Sequence, residues 1–207
     1  MNSFERRARQ NGYKMIAGID EAGRGPLAGP VVAAAVILTP DYENAEIKDS
    51  KQLSAKKRET LYEVIKRDAL AIGVGVVEVP VIDAINILRA SLLAMREAVS
   101  DLTILPDYLL IDGNKGIALN IPQEAIVKGD SRSISVASAS IIAKVSRDKI
   151  MEMYHRQFPQ YNFLKNKGYG TEEHLNAIRK HGSCKIHRRS FSVREKSPLQ
   201  ANVEFEF

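Results

Sequence analysis

Four acidic residues stand where apolar segments end, and together they could do chemistry. Asp20 and Glu21 end one such segment, Asp112 ends another, and Asp130 lies just past a third. Carboxylates that converge repel one another unless some are protonated or a cation lies between them. Mg²⁺ and Mn²⁺ prefer oxygen ligands. Two such ions about 3.5–4 Å apart can activate a water and stabilise the leaving oxygen of a phosphodiester.

A plainer interpretation is that each acid forms a turn or caps a helix, and for any single acid this is the favoured one. It weakens for four acids in similar settings. Asp20 and Glu21 are adjacent, and neighbouring strand residues point to opposite faces. We therefore expect them to share a site only if the strand ends or bends between them, or if one contributes its backbone carbonyl.

A glycine-rich loop follows the first two acids and carries one arginine. Gly23 and Gly25 permit close approach of a ligand, and Arg24 can bind a phosphate. A β-type run resumes at residues 31–38, so the loop joins two strands and does not open a helix. The following strand argues against a dinucleotide-binding fingerprint. A Walker loop is excluded because no Gly-Lys-Ser or Gly-Lys-Thr follows.

The composition is that of an ordinary globular protein, with 207 residues, 44% hydrophobic and 27% charged. Cys184 is the one cysteine, so no disulfide can form within the chain. The sequence has neither the apolar stretch of a signal peptide nor a run long enough to span a membrane. We therefore expect a cytoplasmic protein.

The net charge is +5, and the excess is concentrated near the C-terminus. Residues 141–194 hold 12 Lys and Arg against 4 Asp and Glu. Such a concentration favours a polyanionic partner, because counterions are released on binding. A solvated basic face explains the charge alone equally well.

Hydrophobic patterning predicts an α/β protein with a mixed sheet and helices on its faces. The early strands read as antiparallel and the later ones as parallel. Ser54 is the predicted N-cap of the first helix. Strands are predicted at 15–20, 31–38, 69–79, 107–112 and 125–127, and helices at 53–67, 81–99, 133–158 and 171–181.

Histidine-based and serine-based sites are poor alternatives to the acids. The histidines do not form a zinc spacing with Cys184, and the serines of 131–146 lack a nucleophile elbow. We expect the histidines at surface or capping positions. They are His155, His174, His181 and His187.

Seven short blocks, in order along the chain, resemble the bacterial ribonuclease HII family. The first is Gly-Ile-Asp-Glu-Ala-Gly-Arg-Gly-Pro-Leu-Ala-Gly-Pro-Val at 18–31. The others are Asp-Ser-Lys at 49–51, Leu-Leu-Ile-Asp-Gly at 109–113, Lys-Gly-Asp at 128–130, Ala-Lys-Val with Arg-Asp at 143–148, Asn-Lys-Gly-Tyr-Gly-Thr at 166–171 and His-Arg-Arg-Ser-Phe at 187–191. The resemblance spans residues 15–193.

This resemblance implies a ribonuclease H-like α/β fold, with a mixed five-stranded sheet flanked by helices and a C-terminal helical extension. We expect an N-terminal segment at 1–14, a catalytic core at 15–158, a basic substrate-binding part at 159–194 and a flexible tail at 195–207. The implied activity is endonucleolytic hydrolysis of the RNA strand of RNA–DNA hybrids. Cuts at single ribonucleotides embedded in duplex DNA are implied as well, leaving 5′-phosphate and 3′-hydroxyl ends. The implied cofactor is Mn²⁺ or Mg²⁺.

By the same resemblance, Asp20, Glu21, Asp112 and Asp130 form the catalytic, metal-binding centre. The element Gly23, Arg24 and Gly25 is similar to a sensor of the ribose 2′-hydroxyl. Tyr169 matches the tyrosine that packs on the sugar following the ribonucleotide; without the motif it reads as a loop aromatic packed on the core. Candidate phosphate contacts are Lys51, Lys144, Arg147, Arg188 and Arg189.

Two departures from the family pattern carry their own expectations. The serine-rich stretch at 133–140 is expected to affect packing only. The tail at 195–207 resembles a sliding-clamp peptide weakly, but its spacing departs from that motif, so a loosely packed tail is expected. Separately, we expect the protein to act as a monomer.

Two other function classes stay open on the residues alone. One is a non-catalytic nucleic-acid-binding module that uses the basic segment, which unneutralised carboxylates would oppose. The other is a related two-metal nuclease with a different substrate, which would cut an all-DNA duplex equally well.

Overall fold

The computed structural model describes residues 1–47 and 50–191 and contains a five-stranded sheet of order β3-β2-β1-β4-β5. β1 pairs antiparallel with β2 and parallel with β4. At the two edges, β3 pairs antiparallel with β2 and β5 pairs parallel with β4. The predicted mixed sheet is therefore confirmed. The strands are β1 (Ile16–Ala22), β2 (Val31–Ile37), β3 (Ala71–Val77), β4 (Tyr108–Asp112) and β5 (Gln123–Ile126). The side chain of Lys51 and the tail at 195–207 lie outside the described residues.

Helices cover both faces of this sheet. Ala33 and Ala35 of β2 pack on the side of α4, while Ala34 and Val36 pack on the side of α2 and α5. Burial on both faces explains why β2 is a continuous apolar run. The helices are α1 (Ser3–Gln10), α2 (Ala55–Asp68), α3 (Val79–Ile85), α4 (Ile87–Ser100), α5 (Ile134–Gln157), α6 (Phe163–Asn166) and α7 (Glu172–His181).

The helix α5 lies directly against β1 because of one glycine. A Cβ added at Gly18 would lie 2.1 Å from the carbonyl carbon of Ser135. The helix contributes small buried side chains to this contact, including Ala137 and Ala139. The close approach places the first half of α5 beside the strand end that carries the first two acids.

The predicted single helix over 81–99 is wrong. Asn86 has a φ of 68° and divides the segment into α3 and α4. Its side-chain oxygen accepts the N–H of Arg89 and so caps α4. Asparagine tolerates left-handed backbone better than most residues. Apolar spacing continues across the break and therefore conceals it.

The N-terminal segment carries α1, which patterning did not predict, and this helix packs on the core. Ala8 lies in one buried cluster with Ile16 and Val136. Glu5 is 2% exposed, and its Oε1 accepts hydrogen bonds from the Ser133 hydroxyl and the Ser135 N–H. The helix α1 thus caps the N-terminus of α5.

The C-terminal part is helical, as predicted, and packs on the loop between β1 and β2. Ala28 shares a buried cluster with Met151, Tyr161 and Phe163. An isolated bridge also pairs Ala28 with His187. Among the described residues, no helix is both long and apolar enough to cross a bilayer.

Candidate active site

The register of the two central parallel strands places Asp20 beside Asp112. Ile19 of β1 pairs with Ile111 of β4, and each acid is the next residue in its strand. Residues at matching positions of adjacent strands point to the same face. Asp20 hydrogen-bonds with Ser140 of α5, so both acids face that helix.

β1 does not end between Asp20 and Glu21, so this expected condition for a shared site is not met, and a backbone carbonyl from one of them stays a prediction. The strand continues to Ala22, and Glu21 still pairs with Ala33 of β2. The partner on the other side differs, because β4 pairs with β1 only as far as Ile19. Beyond that point this flank of β1 is open, which allows neighbouring residues on opposite faces to reach one cavity.

A cavity of about 390 Å³ lies over the ends of β1 and β4. Three acids line it together with the glycine-rich loop, one tyrosine, two basic residues and two serines. These lining residues are Asp20, Glu21, Asp112, Ala22, Gly23, Arg24, Gly25, Tyr169, Lys144, Arg147, Ser50 and Ser140. Residues separated by more than a hundred positions in sequence therefore meet at one strand edge.

Asp130 lies beside this cavity, on the short 3₁₀ turn Gly129–Ser131. The turn contacts the acids directly, because the N–H of Gly129 donates to Asp112 Oδ1 at 2.7 Å. Asp130 is itself buried and is not among the described residues that line the cavity. Its role as a fourth acid stays a prediction.

The acids are electrostatically costly as they stand. Burial raises the pKa of Asp20 well above its usual value, and the charges of Glu21 and Asp112 raise it further. Burial also raises the pKa of Glu21, against the opposing effect of Arg24. A cation among these carboxylates would offset the cost of burying their charge and would reduce their mutual repulsion.

The side-chain positions do not yet form a closed metal site. Within residues 1–47 and 50–191, no three His, Cys, Asp or Glu side chains are arranged to hold an ion. Local donors occupy the acids instead: Asp20 Oδ1 accepts the N–H of Glu21 at 2.7 Å, and Glu21 Oε1 lies 3.2 Å from Arg24 Nη1. The donor chemistry nevertheless fits a hard divalent cation, because it is all oxygen and already desolvated. Asp20, Glu21 and Asp112 could hold one once Glu21 turns from Arg24.

Ser140 is a site residue that the sequence did not reveal. The stretch at 133–140 was expected to affect packing only, and for Ser140 this was wrong. Ser140 is buried, hydrogen-bonds with Asp20, and places its Oγ 2.8 Å from that of Ser50. The stretch at 133–140 holds four serines, so the sequence pattern alone did not single out Ser140.

Arg147 was predicted to contact a phosphate, and the structure contradicts this. The side chain is 1% exposed, and its guanidinium donates to the carbonyls of Ala28, Pro30 and Lys167. The guanidinium has five N–H donors in a fixed planar arrangement, which suits donation to several carbonyls at once. Arg147 therefore joins the loop after β1 to the segment that carries Tyr169.

The same correction applies to Arg188, which is 3% exposed. It donates to the carbonyls of Gly23, Arg24, Gly29 and Pro30. Burial lowers the pKa of Arg188 to about 9, so the group remains charged at neutral pH. Arg188 thus fixes the backbone of the glycine-rich loop and does not face a ligand.

The two glycines of the Gly-Arg-Gly element have different reasons to be glycine. Gly23 has a φ of 100°, and a Cβ there would lie 2.2 Å from Arg147 Nε. At Gly25 the nearest atom to an added Cβ is Tyr169 Cε1, at an ordinary 3.7 Å. Tyr169 is 46% exposed. Packing requires glycine at 23, whereas at 25 it leaves open space beside the tyrosine ring.

The remaining basic candidates differ in position. Lys144 lines the cavity, donates to Asp148 Oδ1 at 2.7 Å, and has its pKa lowered by burial. Arg189 is exposed, and its backbone N–H donates to Asp83. Phosphate contacts by these two residues stay predictions, and the side chain of Lys51 lies outside the described part of the chain.

The histidine expectation was wrong for His174 and His187. They are 0% and 6% exposed, and their Nε2 atoms lie 3.0 Å apart. Both rings pack against Tyr161 and Phe163. His187 lies in the block at 187–191, and His174 lies three residues after the block at 166–171. This position in or near the family-like blocks was the signal available in the sequence.

Comparison with protein-family models matches residues 17–194 to the model described as Ribonuclease HII. The chain belongs to the ribonuclease HII family. Members of this family cleave RNA in RNA–DNA hybrids and depend on a metal, and the chain is accordingly a ribonuclease H.

Known proteins of the ribonuclease HII type and their structural relatives agree with this. The Ribonuclease HII of Syntrophus aciditrophicus is 70% identical over 209 residues, covering 100% of this chain and 99% of that protein. The solved PCNA:RNase HII complex from Archaeoglobus fulgidus has a TM-score of 0.71 at 27% identity, covering 88% of this chain and 98% of that one. Bst-RNase HIII in complex with Mn²⁺ is similar in fold, with a TM-score of 0.64 at 22% identity over 84% of this chain and 65% of that one. The predicted ribonuclease H-like fold is confirmed.

Proposed function

We propose that this chain hydrolyses the RNA strand of RNA–DNA hybrids and also cuts at single ribonucleotides embedded in duplex DNA. The supporting observation is one cavity in which three carboxylates meet a glycine-rich loop and a half-exposed tyrosine. The carboxylates suit phosphodiester hydrolysis, and the loop and ring offer surfaces that can distinguish ribose from deoxyribose.

In the proposed reaction a water oxygen forms a bond to phosphorus, and the bond from phosphorus to the 3′-oxygen breaks. The 3′-oxygen takes up a proton, which leaves a 3′-hydroxyl and a 5′-phosphate. Mn²⁺ or Mg²⁺, when bound, would supply activation of the water and neutralisation of charge on the leaving oxygen. Asp20, Glu21 and Asp112 would hold the metal, with Asp130 contributing from the adjacent turn. Lys144 places a positive charge on the cavity wall, where it can orient a phosphate.

Recognition of the ribonucleotide is assigned to the loop and to Tyr169. The space at Gly25 lets a ribose approach the backbone closely enough for its 2′-hydroxyl to hydrogen-bond. Arg24 binds the phosphate and thereby leaves Glu21. A second 2′-hydroxyl on the following sugar would collide with the ring of Tyr169, so DNA is favoured on that side.

Three duplexes test the proposal with Mn²⁺ or Mg²⁺ present: one with a single ribonucleotide, one with a complete RNA strand, and one all-DNA duplex. We expect the first two to be cut with 5′-phosphate and 3′-hydroxyl ends, and the third to stay intact. Equal cutting of the all-DNA duplex would assign the chain to a nuclease of different substrate class. Binding of both ribonucleotide-containing duplexes without any cutting would support a non-catalytic module.

The substitution Asp112→Asn tests the acidic centre. Because the substitution removes one of the three carboxylate charges proposed to hold the metal, turnover should fall by roughly 10²–10³-fold or more. Hybrid binding, measured by fluorescence anisotropy, should remain close to that of the wild type. The matched control is Asp41→Asn, which changes an exposed carboxylate that does not line the cavity. Full turnover in Asp112→Asn would contradict the assigned role.

Monomeric action and a tail without a clamp contact stay predictions. The tail lies outside the described residues, and the PCNA complex is a property of the Archaeoglobus protein.

A further inference from the structure

Two buried histidines contact each other, and one of them hydrogen-bonds to the backbone of Tyr169, the residue assigned above to the sugar. His174 Nε2 lies 3.0 Å from His187 Nε2, and His174 Nδ1 lies 2.8 Å from the carbonyl oxygen of Tyr169. We propose that His174 and His187 are positioning residues, which set Tyr169 for discrimination between deoxyribose and ribose. The inference rests on the proposed function of Tyr169.

The surroundings of the pair determine which nitrogen carries each proton. The backbone N–H of Cys184 lies 2.9 Å from His187 Nδ1, so that nitrogen accepts; the Cys184 carbonyl, at 3.3 Å, is farther away. Burial lowers the pKa of both imidazoles, so both are neutral at pH 7. His187 therefore carries its proton on Nε2 and donates it to His174 Nε2. His174 then carries its proton on Nδ1 and donates to Tyr169.

The backbone of Tyr169 is fixed at both of its polar groups. Its N–H donates to the Asn166 carbonyl at 2.9 Å, and its carbonyl accepts from the Thr171 N–H at 2.8 Å as well as from His174. The Asn166 carbonyl and the Thr171 N–H belong to the same short segment as Tyr169 and would move with it. The His174 ring is the donor whose position is determined elsewhere, by the aromatic cluster and by His187.

The pair also connects the two halves of the proposed reading surface. His187 bridges to Ala28 in the loop after β1, and the next residue, Arg188, holds the carbonyls of Gly23 and Arg24. A displacement of His187 would therefore reach the glycine-rich loop and Tyr169 together. The structure assigns the histidine pair to setting the distance between these two surfaces.

The test compares cleavage of a duplex with one ribonucleotide and of a duplex with a complete RNA strand, in which a ribose follows every cut. Tyr169→Ala and His174→Leu should each lower the preference for the single ribonucleotide, by about tenfold, with turnover of the complete RNA strand retained. Because both act through one ring, the double variant should lose no more than Tyr169→Ala alone. His174→Asn keeps an N–H near the position of Nδ1 and should restore most of the preference. His181→Leu, an exposed histidine on the same helix, should leave the preference unchanged.

Nitrogen chemical shifts of the imidazoles give a readout that is independent of cleavage. We expect the Nε2-protonated form of His187 and the Nδ1-protonated form of His174 in the free protein. The same tautomer in both rings would overturn the inference, even if His174→Leu does not fold. An unchanged preference in a folded His174→Leu variant, with the preference lost in Tyr169→Ala, would overturn the positioning role alone. An unchanged preference in Tyr169→Ala would remove the proposed role of Tyr169 and the inference with it.

Discussion

Single arginine side chains hold the loop that lines the candidate site, and Arg188 gives the sharpest test. Arg188→Lys keeps the charge but cannot reach the carbonyls of Gly23, Arg24 and Gly29 together. Leaving buried carbonyls without donors should lower the free energy of unfolding by about 3 kcal/mol. Denaturant unfolding measures this, with the exposed neighbour Arg189→Lys as the control. Equal stability of the two variants would show that the fork of hydrogen bonds contributes little.

Residue types predicted the acids better than they predicted the arginines. Asp20 and Asp112 end apolar segments, so pattern made them candidates for one site, and the parallel pairing of β1 and β4 brings them together. An arginine in a basic motif has the same sequence appearance whether it faces a phosphate or three backbone carbonyls. Arg147 was misassigned for that reason, since burial depends on contacts made more than a hundred residues away.

At the level of elements, α1 and α5 depend on each other through one carboxylate. Glu5 accepts from the Ser133 hydroxyl and the Ser135 N–H at the start of α5. Glu5→Ala removes this cap and should destabilise the protein by roughly 1–2 kcal/mol. Thermal unfolding measures the loss. The control is Glu43→Ala, because Glu43 also contacts α1, through Arg6, but is exposed. A melting temperature unchanged in Glu5→Ala would mean that α1 is held by apolar packing alone.

The long helices were predictable from the sequence, but the break between α3 and α4 and the N-terminal helix α1 were not. Ser54 caps α2 as predicted, by accepting the N–H of Lys57. The break at Asn86 escaped detection because the apolar spacing of α3 continues into α4. The helix α1 escaped because Arg6, Arg7 and Arg9 hide its short apolar stripe.

For the whole molecule, the neutral histidine pair predicts a specific loss of stability in acid. The ordinary pKa of 6.5 applies to the unfolded chain, whereas burial lowers that of His187 to about 4. The unfolded state therefore binds protons first, so this contribution is complete above pH 6.5 and is lost as the pH falls toward 4. For His187 the slope approaches about 1.4 kcal/mol per pH unit between those two values.

The measurement is urea unfolding across this range for the wild type and for His187→Gln. The raised pKa of Asp20 acts in the opposite direction, so the histidine contribution is the difference between the two profiles. The stability advantage of the wild type should shrink as the pH falls. His181→Gln, at an exposed position, should track the wild type. A difference between wild type and His187→Gln that does not change with pH would contradict the neutral pair.

The order in which the chain is made gives the grip of Arg188 on Gly23 and Arg24 one more consequence. The loop leaves the ribosome among the first segments, yet the side chain that fixes it is added more than 160 residues later. The strand β4, which pairs with β1, is also synthesised late, and such long-range pairing cannot form before both strands exist. During synthesis Asp20 and Glu21 are therefore present long before Asp112 and before the side chain that fixes the loop. Under the proposed function, a nascent chain on the ribosome has two of its carboxylates before it has selectivity, which is gained only once Arg188 has emerged.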